Sequence, residues 1–288
     1  QDDAIYLSAP AANYSDDIRV YQNLISGSGM SFGMHSRGGP RGNVFVYRNV
    51  CDLRKGVNWN RPSDQVPSGN VMSNLPLVIH GREFLGGESV YFYHNLFVSP
   101  NRGGTLAFGL HGRNSATTSR WLLNNIFVYL PTPGRGYPFR GWGGQLTSDV
   151  QMDGNLHWCP DPAAKPPADF LEKARQTDRG GFTRSYAHPW ETRSQAADPG
   201  FTAFGAAEEA ANDYRLRPDS PAVGAGVPLT SLTLLGAPAR ADGATPAALP
   251  DIAPLDAETR PDIGPLSLGT DDLRVGRFGR FSAARPPK

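Results

Sequence analysis

The chain has 288 residues, the length of two ordinary domains or of one elongated repeat domain. Hydrophobic residues make up 39% and charged residues 19%, which excludes disorder of the whole chain. A net charge of +1 excludes a global field that would recruit nucleic acid, and no apolar run approaches the ~18 residues of a membrane helix.

The chain opens on Gln1-Asp2-Asp3-Ala4-Ile5-Tyr6-Leu7. This start is too polar for a signal peptide and already reads as a strand. No capping segment precedes it, so an N-terminal portion is expected to be missing, supplied by a fragment or a second chain.

A short pattern then recurs, in which apolar alternation leads to Asn followed by a branched aliphatic. It reads Val20-Tyr21-Gln22-Asn23-Leu24, Val46-Tyr47-Arg48-Asn49-Val50, Phe92-Tyr93-His94-Asn95-Leu96 and Leu122-Leu123-Asn124-Asn125-Ile126. A weaker copy is Met152-Asp153-Gly154-Asn155-Leu156. The Asn spacings are 26, 46, 30 and 30. Short strands at this period, separated by turns and not by helices, predict a solenoid of β-coils one strand spacing, about 4.8 Å, apart. Asn in one slot of each coil would then bond its neighbours as a ladder. Asn also marks ordinary turns, but five copies with aliphatic followers favour the ladder. The gap of 46 is one coil plus an insertion within Cys51–Asn74.

Gly 33 and Pro 26 make up about a fifth of the chain, against an average near 12%, and they fall in the turns, this insertion and the C-terminal part. The two cysteines, Cys51 and Cys159, sit three coil steps apart, about 14 Å, beyond the ~7 Å Cα limit of a disulfide, so two free thiols are expected.

His-x-Arg occurs three times, as His35-Ser36-Arg37, His80-Gly81-Arg82 and His111-Gly112-Arg113. Each His precedes the next ladder Asn by 14 or 15 residues, so the three share one slot of successive coils. His and Arg two apart share a strand face, while Phe32, Met34, Leu77, Ile79, Phe108 and Leu110 would face the core. In the next coil the slot holds Arg140-Gly141-Trp142. Rows of imidazole and guanidinium suit a polymer with regularly placed carboxylates or sulfates. They would also arise if the repeat were duplicated with its turn chemistry and carried no function. Arg outnumbers Lys 24 to 4, for which genomic codon bias is the plainer source.

Residues 1–160 read as coils, and residues 167–176 read as a short helix after Pro166. Residues 161–228 hold that helix and a closing segment. Residues 229–288 read as an extended C-terminal wrap and tail.

The N-[LIV] coils, the string Asp198-Pro199-Gly200-Phe201 and the run from Asp213 to Gly226 resemble the right-handed parallel β-helix proteins of the pectate-lyase-like superfamily, as does Pro261-Asp262-Ile263-Gly264. The resemblance covers roughly residues 1–265 and matches the family's C-terminal portion. It implies an all-β fold, a right-handed parallel β-helix with one short helix and an extended C-terminal wrap. It leaves the activity open, because this scaffold hosts lyases, hydrolases, epimerases and adhesins without catalysis.

The preferred expectation is a secreted or periplasmic polysaccharide lyase that cleaves an acidic polysaccharide by β-elimination. Arg37, Arg82 or Arg113 would neutralise the uronate carboxylate, and His35, His80 or His111 would move the proton at C5. Arg54 and Lys55 are alternative bases, and Trp59, Arg140 and Trp142 would line the groove. Asp2-Asp3, followed by Gly27-Ser28-Gly29, resembles the polygalacturonase carboxylates, which implies a glycoside hydrolase as an alternative. Ser28 stands where that family has His, and Val57-Asn58-Trp59 replaces its Arg-Ile-Lys, while Asp2-Asp3 could equally bind turn amides. A glycan-binding or surface-assembly β-helix without catalysis is the third reading. Related lyases often hold Ca²⁺, but only Asp2, Asp3 and Asp52 are candidate ligands, so no cofactor is expected and the sequence does not support Ca²⁺.

Overall fold

The computed structural model describes residues 3–7, 18–26, 30–34, 44–52, 77–80, 90–101, 108–111, 120–131, 150–160, 171, 172, 175, 190–205, 212–229 and 260–269. These residues are almost all strand and turn. The first circuit of chain forms β1 (Asp3–Leu7), β2 (Ile18–Tyr21) and β3 (Leu24–Ser26). The second forms β4 (Met30–Met34), β5 (Val44–Tyr47) and β6 (Val50–Asp52). The third forms β7 (Leu77–His80), β8 (Val90–Tyr93) and β9 (Leu96–Asn101). The fourth forms β10 (Phe108–His111), β11 (Arg120–Leu123) and β12 (Ile126–Pro131). After β13 (Val150–Asp153) and β14 (Leu156–Trp158) come β15 (Gln195–Ala196), β16 (Phe201–Ala203) and β17 (Asp213–Leu216).

Each circuit adds one strand to each of three sheets, with orders β1-β4-β7-β10, β13-β11-β8-β5-β2 and β15-β14-β12-β9-β6-β3. Every pairing within these sheets is parallel, as between β5 and β8, where Val44 faces Val90 and Tyr47 faces Tyr93. Among the described residues only β16 and β17 pair antiparallel. The fold is all-β and mostly parallel, an arrangement compatible with a β-helix-like solenoid.

Parallel strands buried on both faces need continuous apolar runs, and β5, β8 and β11 supply them. On one face Phe45, Tyr47, Tyr91, Tyr93, Trp121 and Leu123 cluster with Val227 and Leu229. On the other, Val46, Phe92, Leu122 and Met152 form one fully buried register row. The aromatic residues stack along the pile. Tyr21, Tyr47 and Tyr93 succeed one another at 5.0 Å between ring centres, and Phe45 and Tyr91 at 5.2 Å. The third sheet packs Leu96, Val98, Ile126, Val128 and Leu156 against Phe201, Tyr214, Leu216, Ile263 and Leu266. The closing residues therefore lie against two of the three sheets.

Between the second and third sheets the chain turns in two residues. The first of them, Gln22, Arg48, His94, Asn124 or Gly154, has φ between 52° and 65°, and the second is the ladder Asn. Four circuits accept the left-handed cost at a non-glycine residue. At Gly154 space also decides, since an added Cβ would lie 2.4 Å from Asn124 Oδ1. Gly264, at φ 101°, approaches Ile126 so closely that a Cβ would meet its Cδ1 at 2.5 Å.

The C-terminal strings dock by hydrogen bonds to these turns. Asn124 uses its side-chain amide as a strand would, donating to Val227 O at 2.9 Å and accepting from Val227 N at 2.8 Å. Gly264 N donates to Asn124 O at 2.9 Å. Asp262 accepts from Gly224 N and Leu268 N, both at 2.7 Å. Arg215 holds the Asp213 carboxyl below its ordinary range, chiefly by side-chain hydrogen bonding, with Nε 2.9 Å from Oδ1. Leu171, Glu172 and Arg175 are helical, within the span predicted as a short helix, and Leu171 is buried. Both cysteines are free thiols, with Cys51 buried.

Tyr214 reaches from β17 to β6, where its hydroxyl donates to the buried Asp52 carboxylate and accepts from Asn212 Nδ2 at 3.1 Å. Asp52, one of the three acids weighed as Ca²⁺ ligands, is therefore engaged inside the structure. Tyr214→Phe removes a donor from a buried carboxylate and should lower the unfolding free energy by about 2 kcal/mol. Urea unfolding measures it, and a loss below about 0.5 kcal/mol would mean this contact does not anchor the closing segment.

Candidate functional site

Two places bring together residues with functional chemistry. The first is the β1-β4-β7-β10 sheet. Its register aligns Phe32 with Leu77 and Phe108, and Met34 with Ile79 and Leu110. The next row pairs His80 directly with His111. The two histidines of successive circuits thus occupy one row, about 4.8 Å apart in the hydrogen-bonding direction. Asp3 is also in this sheet, paired with Met30 at the far edge. Four residues separate Asp3 from the Leu7–Met34 row, and the histidines lie one residue beyond that row. The offset is about 16 Å along the strands. Asp3 and the histidine row are therefore separate groups. His35, Arg37, Arg82, Arg113, Asp2, Arg54, Lys55, Trp59, Arg140 and Trp142 lie outside the described residues, as does most of the insertion after Asp52.

The second place is the Asn ladder with its closure. Asn23 donates from both N and Nδ2 to Asn49 Oδ1, at 3.1 and 2.9 Å. Asn49 repeats this toward Asn95, Asn95 toward Asn125 and Asn125 toward Asn155. Each Nδ2 from Asn49 onward also reaches back to the previous circuit, to Val20 O, Val46 O, Phe92 O or Leu122 O, at 2.9–3.0 Å. A buried turn row of backbone groups is thereby satisfied by one side chain per circuit.

At Asn155 the pattern changes. Its backbone N donates to Ser194 Oγ at 2.8 Å, and its Nδ2 to Glu191 Oε2 at 3.1 Å. Ser194 Oγ donates to the same carboxylate. His157 Nε2 lies 3.1 Å from Glu191 Oε1, and its Nδ1 is 2.8 Å from the Tyr129 hydroxyl. Burial, with the Glu191 charge as a second cause, pushes the Tyr129 hydroxyl well above its ordinary pKa. Ser, His and Glu together suggest a catalytic triad, but the connectivity is wrong for one. Serine and histidine both bond the carboxylate, not each other, and Glu191 and His157 have no exposed surface. The cluster ends the ladder.

Sequence reasoning missed this cluster, because Glu191 and Ser194 follow Asn155 by 36 and 39 residues and neither continues the Asn pattern. The one available signal was Ser194-Gln195, small and polar at the start of a further strand. Among the described residues no group of three or more His, Cys, Asp or Glu is arranged to hold a metal ion, and no helix is long and apolar enough to cross a membrane. No protein-family model, curated protein or solved structure matches the chain.

Proposed function

We propose that the chain is a right-handed parallel β-helix of the pectate-lyase-like kind that acts on an acidic polysaccharide by β-elimination. The observation that carries this reading is the pairing of His80 with His111 in the β1-β4-β7-β10 sheet. The closing residues pack on the other two sheets.

The reaction removes the proton at C5 of a uronate unit, forms a C4=C5 double bond and breaks the bond from C4 to the glycosidic oxygen. The leaving oxygen takes up a proton. An imidazole from the row His35, His80 and His111 serves as base, since its ordinary pKa lies near neutrality. Arg37, Arg82 and Arg113 neutralise the substrate carboxylate, and so stabilise the enolate-like charge that develops as C5 loses its proton. No cofactor is required by this scheme. A polymeric acidic substrate implies a secreted or periplasmic protein.

Incubation with polygalacturonate, alginate and a sulfated uronan tests the reading. A rise in ultraviolet absorbance from the new double bond is expected with at least one of them. His80→Ala and Arg82→Ala should each lower that rate by about 10²–10⁴-fold. Reducing ends without the absorbance would replace this reading with hydrolysis, for which Asp2 and Asp3 are the carboxylates. Retention on the polymer without any product would replace it with a binding module.

A further inference from the structure

We propose that the outer edge of the β1–β2–β3 circuit docks one more parallel β-strand segment, and that this segment carries the repeat's own pattern of aromatic-x-Asn-aliphatic. The partner is thus defined by its chemistry, as a strand that presents an Asn in the ladder slot and an aromatic ring two residues before it.

Three independent features meet at this edge. The strands β1, β2 and β3 are each the last of their sheet, so among the described residues one circuit ends three parallel sheets together. Such edges template further pairing unless something blunts them. The aromatic stack also ends here. Tyr21 lies flat on Tyr47, 5.0 Å away with 2° between the ring planes, yet it is 47% exposed, where Tyr47 and Tyr93 are 3% and 1% exposed.

The third feature is the polarity of the ladder. In every rung the Oδ1 of one Asn accepts two hydrogen bonds, from the backbone N and the Nδ2 of the Asn in the preceding circuit. Asn23 gives those donors to Asn49, and no described residue donates to Asn23 Oδ1. At the other end the ladder is closed by Ser194 and Glu191. Arg175 locks that closure, with Nε 2.9 Å from Glu191 O and Nη2 2.6 Å from Ser194 O. One end of the row is finished with dedicated residues, while the other still offers an acceptor.

This polarity selects the partner. A second copy meeting edge to edge would bring Asn23 Oδ1 against Asn23 Oδ1, two acceptors with no proton between them. A second copy meeting head to tail would find the donors of Asn155 already used. A segment with Asn in the slot brings both N–H groups that Asn23 Oδ1 lacks, and its aromatic ring covers Tyr21.

The probe is a dye-labelled, end-blocked peptide with the sequence of residues 17–26, titrated with the full chain and followed by fluorescence anisotropy. Saturable binding is expected, with slowed amide exchange over residues 18–26 of the protein. Replacing the peptide's Asn by Asp sets a carboxylate against Asn23 Oδ1 and should weaken binding at least tenfold. Asn23→Leu in the protein, a half-buried position at the end of the ladder, should do the same with only a small drop in the urea midpoint, far less than Asn95→Ala causes. Absence of saturable binding overturns the proposal, as does equal affinity for the Asn and Asp peptides. It is also overturned if sedimentation velocity shows a dimer of the chain alone that Tyr21→Lys dissolves, because the occupant is then a second copy.

Discussion

Asn95→Ala should lower the unfolding free energy by about 4 kcal/mol, roughly four times the loss from Asn23→Ala. The Asn95 side chain makes five hydrogen bonds. It accepts from Asn49 N and Nδ2 at 3.1 and 2.9 Å. It donates to Val46 O, Tyr93 O and Asn125 Oδ1 at 2.9, 3.2 and 3.0 Å. Alanine leaves the buried Asn49 N without an acceptor, at about 1–3 kcal/mol, because no water reaches a residue with zero exposure. It also withdraws the amide donor from Val46 O and Tyr93 O, while Asn49 Nδ2 keeps Val20 O and Tyr47 O. Asn23 is partly exposed and its loss costs only about 1 kcal/mol, since solvent reaches the groups it abandons. Urea unfolding of the two variants side by side measures the ratio. Equal losses would show that the ladder stabilises each turn separately and not as a buried row.

The second large effect is on pH. Burial, and then the nearby Arg48 charge, lower the pKa of His94 from 6.5 to about 3, against smaller opposing hydrogen bonds to the backbone of Asp262 and Gly264. The unfolded chain therefore binds a proton at this site between pH 6.5 and about 3, and the folded chain does not. Stability is then full above pH 6.5 and falls as the pH drops through that window. At 1.36 kcal/mol per pH unit the loss reaches about 3 kcal/mol by pH 4 and about 5 kcal/mol by pH 3. Asp213 adds its own acid sensitivity only below its ordinary pKa of 3.8. The window from pH 6.5 to 4 therefore separates the two.

His94→Asn isolates the effect. Asn tolerates the left-handed φ of 52° at this turn, and Asn124 already occupies the equivalent position one circuit on. The variant's stability should decline less between pH 6.5 and 4, by about 3 kcal/mol relative to the parent. Parallel curves for the two proteins would mean that His94 does not titrate with unfolding.

Much of this architecture was legible along the chain because it rests on local repetition. Asn at spacings of 26, 46, 30 and 30 marks the turn slot, and the hydrogen-bond ladder joins those same five residues. The His-x-Arg spacing likewise anticipated that His80 and His111 share a row. Strand registers transmit such a period faithfully, because one residue of slip would exchange the two faces of every strand.

The closing contacts were not legible. Nothing in the sequence around Glu191 and Ser194 announces that they end the ladder, and Asp52 read as a candidate ion ligand until Tyr214, 162 residues away, was found on its carboxylate. His94 read as one more residue before a ladder Asn. Its burial depends on residues 260–269 lying over the turn row, which no local pattern encodes.

By itself, then, the sequence determined the repeat, the turn slot, the free thiols and the all-β parallel character, since each follows from periodicity and strand spacing. Only the tertiary structure decided which ends of the pile are finished, which sheets the closing segment covers and which polar groups lose their water. Those outcomes depend on contacts between residues far apart in the chain. Their energy comes from desolvation, which a one-dimensional pattern does not record.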